Sequence, residues 1–243
     1  MIVRRLRVHL RVLREIFVKR KILINYQMGK VGSSSVAGYF RDHGLLEWHI
    51  HRFYDTPVHR YGKKNRYLRL LDLALLNFAK FYCVEIKIIS GVRDPLDRDI
   101  SMFFHNLKTY YPNIEVTSEN IRNIEITFKN NFPIGKCVNW YFDEFQRALG
   151  IDIFKYSFNK ELGFTSFEQG KYKVFIYDMD KLNSLGSNLS IFFDIKMYKL
   201  IERNTASNKE YNNVYKEFRK NLQLDKDTNA EYTKSTFYKH FFQ

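Results

Sequence analysis

Apolar residues early in the chain recur at Ile2, Leu6, Leu10, Leu13 and Phe17, with arginines between them. That period predicts an amphipathic helix over residues 2–20. The run Ile22–Gln27 reads as a strand, and a helix is expected from Ser33 to Asp42, stopped by Gly44. Leu46–Phe53 (LEWHIHRF) reads as a second strand. Arg66–Tyr82 is so apolar that it predicts a helix buried on most faces. Val84–Ser90 (VEIKIIS) reads as a third strand, running into a helix through Phe103, Phe104 and Leu107.

Beyond residue 110 the pattern weakens. A short helix is expected at Asn120–Phe128, and a longer one at Val138–Leu149, ended by Gly150. Tyr172–Tyr177 (YKVFIY) has the composition of a sheet strand. Asp180–Phe193 and Asn208–Leu222 read as helical. The aromatic residues of Asn229–Phe242 sit at helical spacing and are expected to pack back on the domain.

Strands and helices alternate through the first half, without tight hairpin signals between the first three strands. This is the pattern of a parallel sheet with crossover helices. The expected fold is α/β: a P-loop-like three-layer architecture with a central, mainly parallel sheet flanked by helices. No repeat, low-complexity tract or linker interrupts the chain. The expected organisation is a basic amphipathic helix over residues 1–20 and a single domain over 21–243.

Composition supports a packed core, with 45% apolar and 17% aromatic residues. The net charge is +14, and half of it lies in the first 21 residues, where eight Lys or Arg face the single acid Glu15. Such basicity suits an anionic partner. The first helix is suited to lie on an anionic membrane surface, or to dock its apolar stripe on the domain. Cys83 and Cys137 have no metal-ligand spacing and read as buried thiols. No run is long enough to cross a membrane, and arginines stand where a secretory segment needs an apolar block. The expected location is cytoplasmic, with residues 1–20 able to hold the protein to the inner face of the membrane.

The stretch NYQMGKVGSSSV, residues 25–36, joins the first strand to the next helix. Amides at a helix N-terminus, glycine freedom, serine hydroxyls and a lysine together make an anion site. The candidate phosphate ligands are Lys30, Gly32, Ser33, Ser34 and Ser35. Lys30 precedes Gly32 instead of following it, so the loop is not the GxxxxGK[ST] nucleotide motif. A second candidate follows the third strand in GVRDPLDRDISMFFHN. Arg93 offers a planar fork to a phosphate, Pro95 suits a first helical turn, and Ser101 lies two turns along. Arg98 is a further donor. Both loops sit at strand carboxyl ends, where open α/β sheets bind ligands.

The order Lys-x-Gly-Ser-Ser-Ser, with Arg93, Pro95 and Ser101 after a later strand, resembles the 5′-phosphosulfate and 3′-phosphate motifs of sulfotransferases. That resemblance implies 3′-phosphoadenosine 5′-phosphosulfate (PAPS) as sulfuryl donor and no metal. It also implies Lys30 at the bridging oxygen of the leaving group. CVNWYFDEF (137–145) and the tail from Asn204 through Lys209–Tyr211 to Phe241-Phe242 resemble a bacterial branch labelled as capsular polysaccharide synthesis proteins. That branch is named for an NKWYS-like motif; here only Asn139-Trp140-Tyr141 agree, with Phe142 in the place of Ser. This implies a carbohydrate hydroxyl as acceptor.

A base for that hydroxyl is sought among His and Glu. His49 and His51 share one strand face with Glu47. His51 is favoured because it lies nearer the strand's carboxyl end, with His49 second and His105 behind both. Trp140 and Tyr141 suit either ring stacking or the core; Arg203 and Lys209 suit a reach to the cofactor or ordinary solvation. Two rival readings stand beside the transferase. One is a non-enzymatic protein binding anionic polymer or membrane. The other is a P-loop-like kinase, for which Asp178 is the available magnesium ligand. No nucleic-acid partner is expected.

Overall fold

The computed structural model describes residues 2–46, 48–54, 66–195 and 211–243, with side chains from residue 5 onward. The chain opens with helix α1 (Ile2–Lys19), strand β1 (Lys21–Tyr26), helix α2 (Ser33–Asp42) and the two-residue strand β2 (His49–Ile50). Helix α3 (Arg66–Tyr82), strand β3 (Glu85–Val92) and helices α4 (Pro95–Tyr110) and α5 (Ile121–Asn131) follow. A tight 3-10 turn (Lys136–Asn139) and a wide π turn (Tyr141–Gln146) lead into α6 (Arg147–Leu149). Next come β4 (Phe164–Gln169), β5 (Tyr172–Asp178), a 3-10 segment (Met179–Ser184) and α7 (Gly186–Phe193). The chain ends with α8 (Asn212–Asn221), α9 (Lys226–Thr233) and α10 (Thr236–Phe241).

Among the described residues one five-stranded sheet carries the fold, in the order β2-β1-β3-β5-β4. All pairs are parallel except β4 with β5. Successive strand residues face opposite sides of a sheet, and here both sides are covered. Ile22, Ile24, Ile86, Ile88, Val174 and Ile176 pack with Val12 and Ile16 of α1, Leu75 and Leu76 of α3, and Trp140 and Phe145. Ile89, Phe175 and Tyr177 face the other way, against Val36 and Phe40 of α2 and Leu189 and Phe193 of α7. This is the α/β, mainly parallel architecture that the strand-helix alternation predicts. A further cluster joins α4, α5 and α8 through Phe103, Phe104, Phe128 and Phe218.

Several local expectations are corrected. The second strand pairs only through His49 and Ile50. Its continuation fails because the amides of Phe53 and Tyr54 are captured by the Glu144 carboxylate, at 2.8 and 3.1 Å. Helix α3 is buried along one side only: Leu70 is half exposed and Phe81 is 88% exposed. Strand β4 lies outside the strands that the sequence pattern predicts; it turns at Gly170 (φ +57°) to pair antiparallel with β5. The expected stripe of α1 is not its docking face. Val12, Ile16 and His9 are buried instead, and Leu6, Leu10 and Phe17 face outward. Docking of α1 is fixed by Asp72 of α3, whose carboxylate accepts from Arg5 Nη2 and bonds His9 Nε2, each at 2.8 Å, and accepts from Trp48 Nε1 at 3.3 Å. Cys83 and Cys137 are buried free thiols. Glu47, Arg203, Asn204, Lys209 and the start of the helix expected at Asn208–Leu222 lie outside the described residues.

Candidate anion site at the strand ends

The loop after β1 is held by its carbonyl groups. Gly29 O accepts from Arg98 Nε at 3.1 Å, Lys30 O from Arg93 Nη1 at 3.3 Å, and Val31 O from Tyr177 Oη at 2.8 Å. A trans peptide points its N–H opposite its C=O. The amides of Lys30, Val31 and Gly32 therefore each point away from the side chain that holds the preceding carbonyl. Lys30 (φ +73°) and Gly32 (φ +81°) are both left-handed. Such a conformation costs a non-glycine residue roughly 1–2 kcal/mol and persists only where its surroundings impose it. At Gly32 a Cβ would also sit 2.9 Å from Leu182 Cδ2.

Helix α2 starts at Gly32 without a side-chain cap. Its first amides, at Ser33 and Ser34, have no intrahelical partner and stand at the positive end of the helix dipole. Ser33 is buried, Ser34 exposed and Ser35 intermediate. Below the loop lies a buried polar relay. Asn25 Nδ2 donates to Ser33 O at 3.4 Å, Gln27 Nε2 donates to Asn25 Oδ1, and Tyr177 Oη lies 2.6 Å from Gln27 Oε1. Gly91 on β3 lets Tyr177 and Gln27 close over it, since a Cβ there would lie 2.7 Å from both.

The second motif meets the first directly, through the Arg93–Lys30 bond. Arg93 Nε is buried and makes no hydrogen bond, a donor that an anion or an ordered water can satisfy. Arg98 is placed differently from its expected role as a donor to a ligand. It is 3% exposed and spends its guanidinium on Gly29 O and on Asp99 Oδ1 at 2.8 Å. Asp99 is itself anchored by Gly135 N and Tyr232 Oη, at 3.0 and 2.8 Å. Ser101 is half-buried on α4, next to Met102, whose Cε would lie 2.8 Å from a Cβ at Gly29. Pro95 begins α4, capped by Asp94 through the amides of Leu96 and Asp97.

His51 Nδ1 lies 2.8 Å from Gln27 O, at the entrance to the loop. The carbonyl is acceptor only, so Nδ1 carries the proton, and the lone pair of the neutral ring is on Nε2. His49 packs edge-on against His51, with ring centroids 4.3 Å apart. His105 is on the exposed side of α4. Asp178 ends β5 and caps the following turn through Asp180 N at 3.1 Å. Burial pushes the carboxyls of Asp94 and Asp178 up from their ordinary values. Among the described residues no cluster of three or more His, Cys, Asp or Glu side chains is assembled.

Glu144 was not singled out in the sequence, although it lies within the quoted YFDEF. It is fully buried and accepts from Tyr26 Oη at 2.9 Å as well as from Phe53 N and Tyr54 N. Burial pushes its pKa up to about 7, against the pull of those hydrogen bonds and of Arg52. The chain's own signal was an acid, next to Asp143, in a largely apolar helical segment. Asp72 gives the same signal within RYLRLLDLALL.

A family model described as "Putative capsular polysaccharide synthesis protein", NKWYS, matches residues 113–243. The chain belongs to the NKWYS family. No curated protein and no solved structure matches it. The two strand-end loops lie ahead of the residues matched to the NKWYS model, yet the NKWYS segment supports them. Trp140 Nε1 donates to His51 O at 3.0 Å. Tyr141 Oη lies 2.9 Å from Ser90 Oγ and 3.2 Å from Gly91 O. Both rings are buried, so they brace the ends of β2 and β3 and are not exposed stacking platforms. Phe142, where the NKWYS motif has Ser, is 40% exposed and stacks on Phe154 at 4.7 Å.

Proposed function

We propose that the protein is a sulfotransferase that moves a sulfuryl group from PAPS to a carbohydrate hydroxyl in capsular polysaccharide synthesis. The carbohydrate acceptor rests on membership of the NKWYS family, and the donor on the resemblance of the two loops. The observation that carries the reading is the Arg93–Lys30 contact together with the orphaned Arg93 Nε. It supports two anion subsites side by side at the ends of β1 and β3, as a donor with a 5′-phosphosulfate and a separate 3′-phosphate requires.

In this reading the amides at the start of α2, with Gly32, Ser33, Ser34 and Ser35, hold the 5′ end, and Arg93 and Ser101 hold the 3′-phosphate. Arg98 positions the loop through Gly29 and does not touch the donor. Lys30 supplies positive charge where the leaving oxygen develops negative charge. The acceptor oxygen gains a bond to sulfur as the bridging sulfur–oxygen bond breaks. His51 Nε2 takes the hydroxyl proton. His49, packed on His51, orders that ring. No metal enters the reading.

The test is calorimetry with 3′,5′-adenosine bisphosphate, the product this reaction would release, with ATP as control. The reading expects the bisphosphate to bind more tightly than ATP, and Arg93→Ala to lose that preference. Absence of bisphosphate binding by folded wild-type protein would refute it. Preference for ATP would favour a kinase, for which Asp178 is poorly disposed because it already caps a turn.

A further inference from the structure

Helix α1 carries three stripes, not two. On a wheel of about 100° per residue, Val12, Ile16 and His9 form the docking face, and all three are buried. Leu6, Leu10 and Phe17 fall within about 40° of one another on a second face, and are 43%, 67% and 53% exposed. Arg7, Arg11 and Arg14 form a third face about 80° further round, all exposed.

The exposed apolar stripe continues onto α3. Phe17 packs against Phe78 at 5.2 Å and Tyr82 at 5.5 Å, and Phe81 beside them is 88% exposed. On the basic side, Arg7 and Arg11 meet Arg41 of α2 around a cleft of roughly 350 Å³, walled by Val8, Leu45 and Leu46. The only acid on α1, Glu15, is paired with Lys19 at 2.8 Å, leaving the arginine stripe without a neighbouring negative charge on its own helix.

We propose that this face of α1 and α3 docks on an anionic phospholipid bilayer, with lipid phosphates at Arg7, Arg11 and Arg41 and acyl chains against Leu6, Leu10 and Phe17. Charge complementarity selects the anionic partner. The adjacent apolar stripe selects a bilayer over a soluble polyanion, because a nucleic acid or acidic glycan offers leucine and phenylalanine side chains no apolar layer to enter. No described helix is long and apolar enough to cross a membrane, so the helix lies along the surface. The inference is independent of the proposed chemistry.

The test is sedimentation of the full-length protein with vesicles of phosphatidylcholine alone or mixed with phosphatidylglycerol. The protein is expected to sediment only with the mixed vesicles, and inorganic phosphate matched to the lipid phosphate should not release it. Arg7→Gln/Arg11→Gln should weaken partitioning about thirtyfold. Leu6→Gln/Leu10→Gln should weaken it about tenfold or more. Both pairs are exposed, and circular dichroism should match the wild type. Wild type that stays in the supernatant, or binds both vesicles equally, overturns the proposal. So does release by phosphate. Unchanged binding of the leucine variant with loss in the arginine variant would reveal a polyanion surface in place of a bilayer one.

Discussion

Arg93 Nη1 donates to the main-chain carbonyl of Lys30 at 3.3 Å, linking two loops that are 63 residues apart. The same guanidinium leaves its buried Nε without an acceptor. Arg93→Ala should therefore lower bisphosphate affinity by about tenfold to a hundredfold, the range of a charge-assisted bond or two. Arg93→Lys should not restore it, because an ammonium lacks the planar fork. Calorimetry on the three proteins checks this, and equal affinities would remove Arg93 from the site.

Gly32→Ala should destabilise the protein. Its φ of +81° costs an L-residue about 1–2 kcal/mol, and the new methyl group meets Leu182. For a chain of this size the thermal midpoint should fall by roughly 3–8 °C. Calorimetric scanning reads the shift directly, and an unchanged midpoint would mean that the loop relaxes without strain.

Glu144 makes stability depend on pH with a defined sign. The folded protein holds its proton to about pH 7, whereas an unfolded glutamate releases it near pH 4.3. Between those values the native state binds the extra proton, so stability falls as pH rises, by on the order of 3 kcal/mol in all. Glu144→Gln should lose this component. Urea unfolding of both proteins at pH 5 and pH 8 tests it; a pH dependence that survives in the variant would assign the effect elsewhere.

Asp72→Ala should release α1. It strips partners from His9, Arg5 and Trp48 and should cost about 2–4 kcal/mol, less than a fully buried pair because Arg5 is partly solvated. Limited trypsin digestion should then cut at Arg7, Arg11 and Arg14 faster than in the wild type. Cleavage at the wild-type rate would show that Val12 and Ile16 suffice to hold the helix.

His51→Ala should abolish most transfer while leaving bisphosphate affinity within about twofold, since a proton-accepting side chain contributes roughly 10²–10⁴-fold to rate. Trp140→Phe, which removes the donor to His51 O, should lower turnover without shifting binding. Labelled-donor transfer measured beside calorimetry separates the two effects, and full turnover in His51→Ala would eliminate it as the base.

Local pattern alone determined the parallel core and its loops. The apolar runs of β1, β3 and β5 and the glycine-serine junction are encoded by neighbouring residues, because strand burial and helix starts depend on short-range periodicity and turn chemistry. The tertiary structure decided what depends on distant partners. Glu144 ended β2 by taking the amides of Phe53 and Tyr54, and Asp72 chose the face on which α1 docks. Arg98, expected to donate to a ligand, turned inward to hold Gly29 and Asp99. Trp140 and Tyr141 became braces for the strand ends. In each case a buried polar group had to find a partner, and apart from Asp99, the sequence neighbour of Arg98, each of these partners lay 50 or more residues away. A one-dimensional pattern can show that such a group exists, but only packing shows which partner it finds.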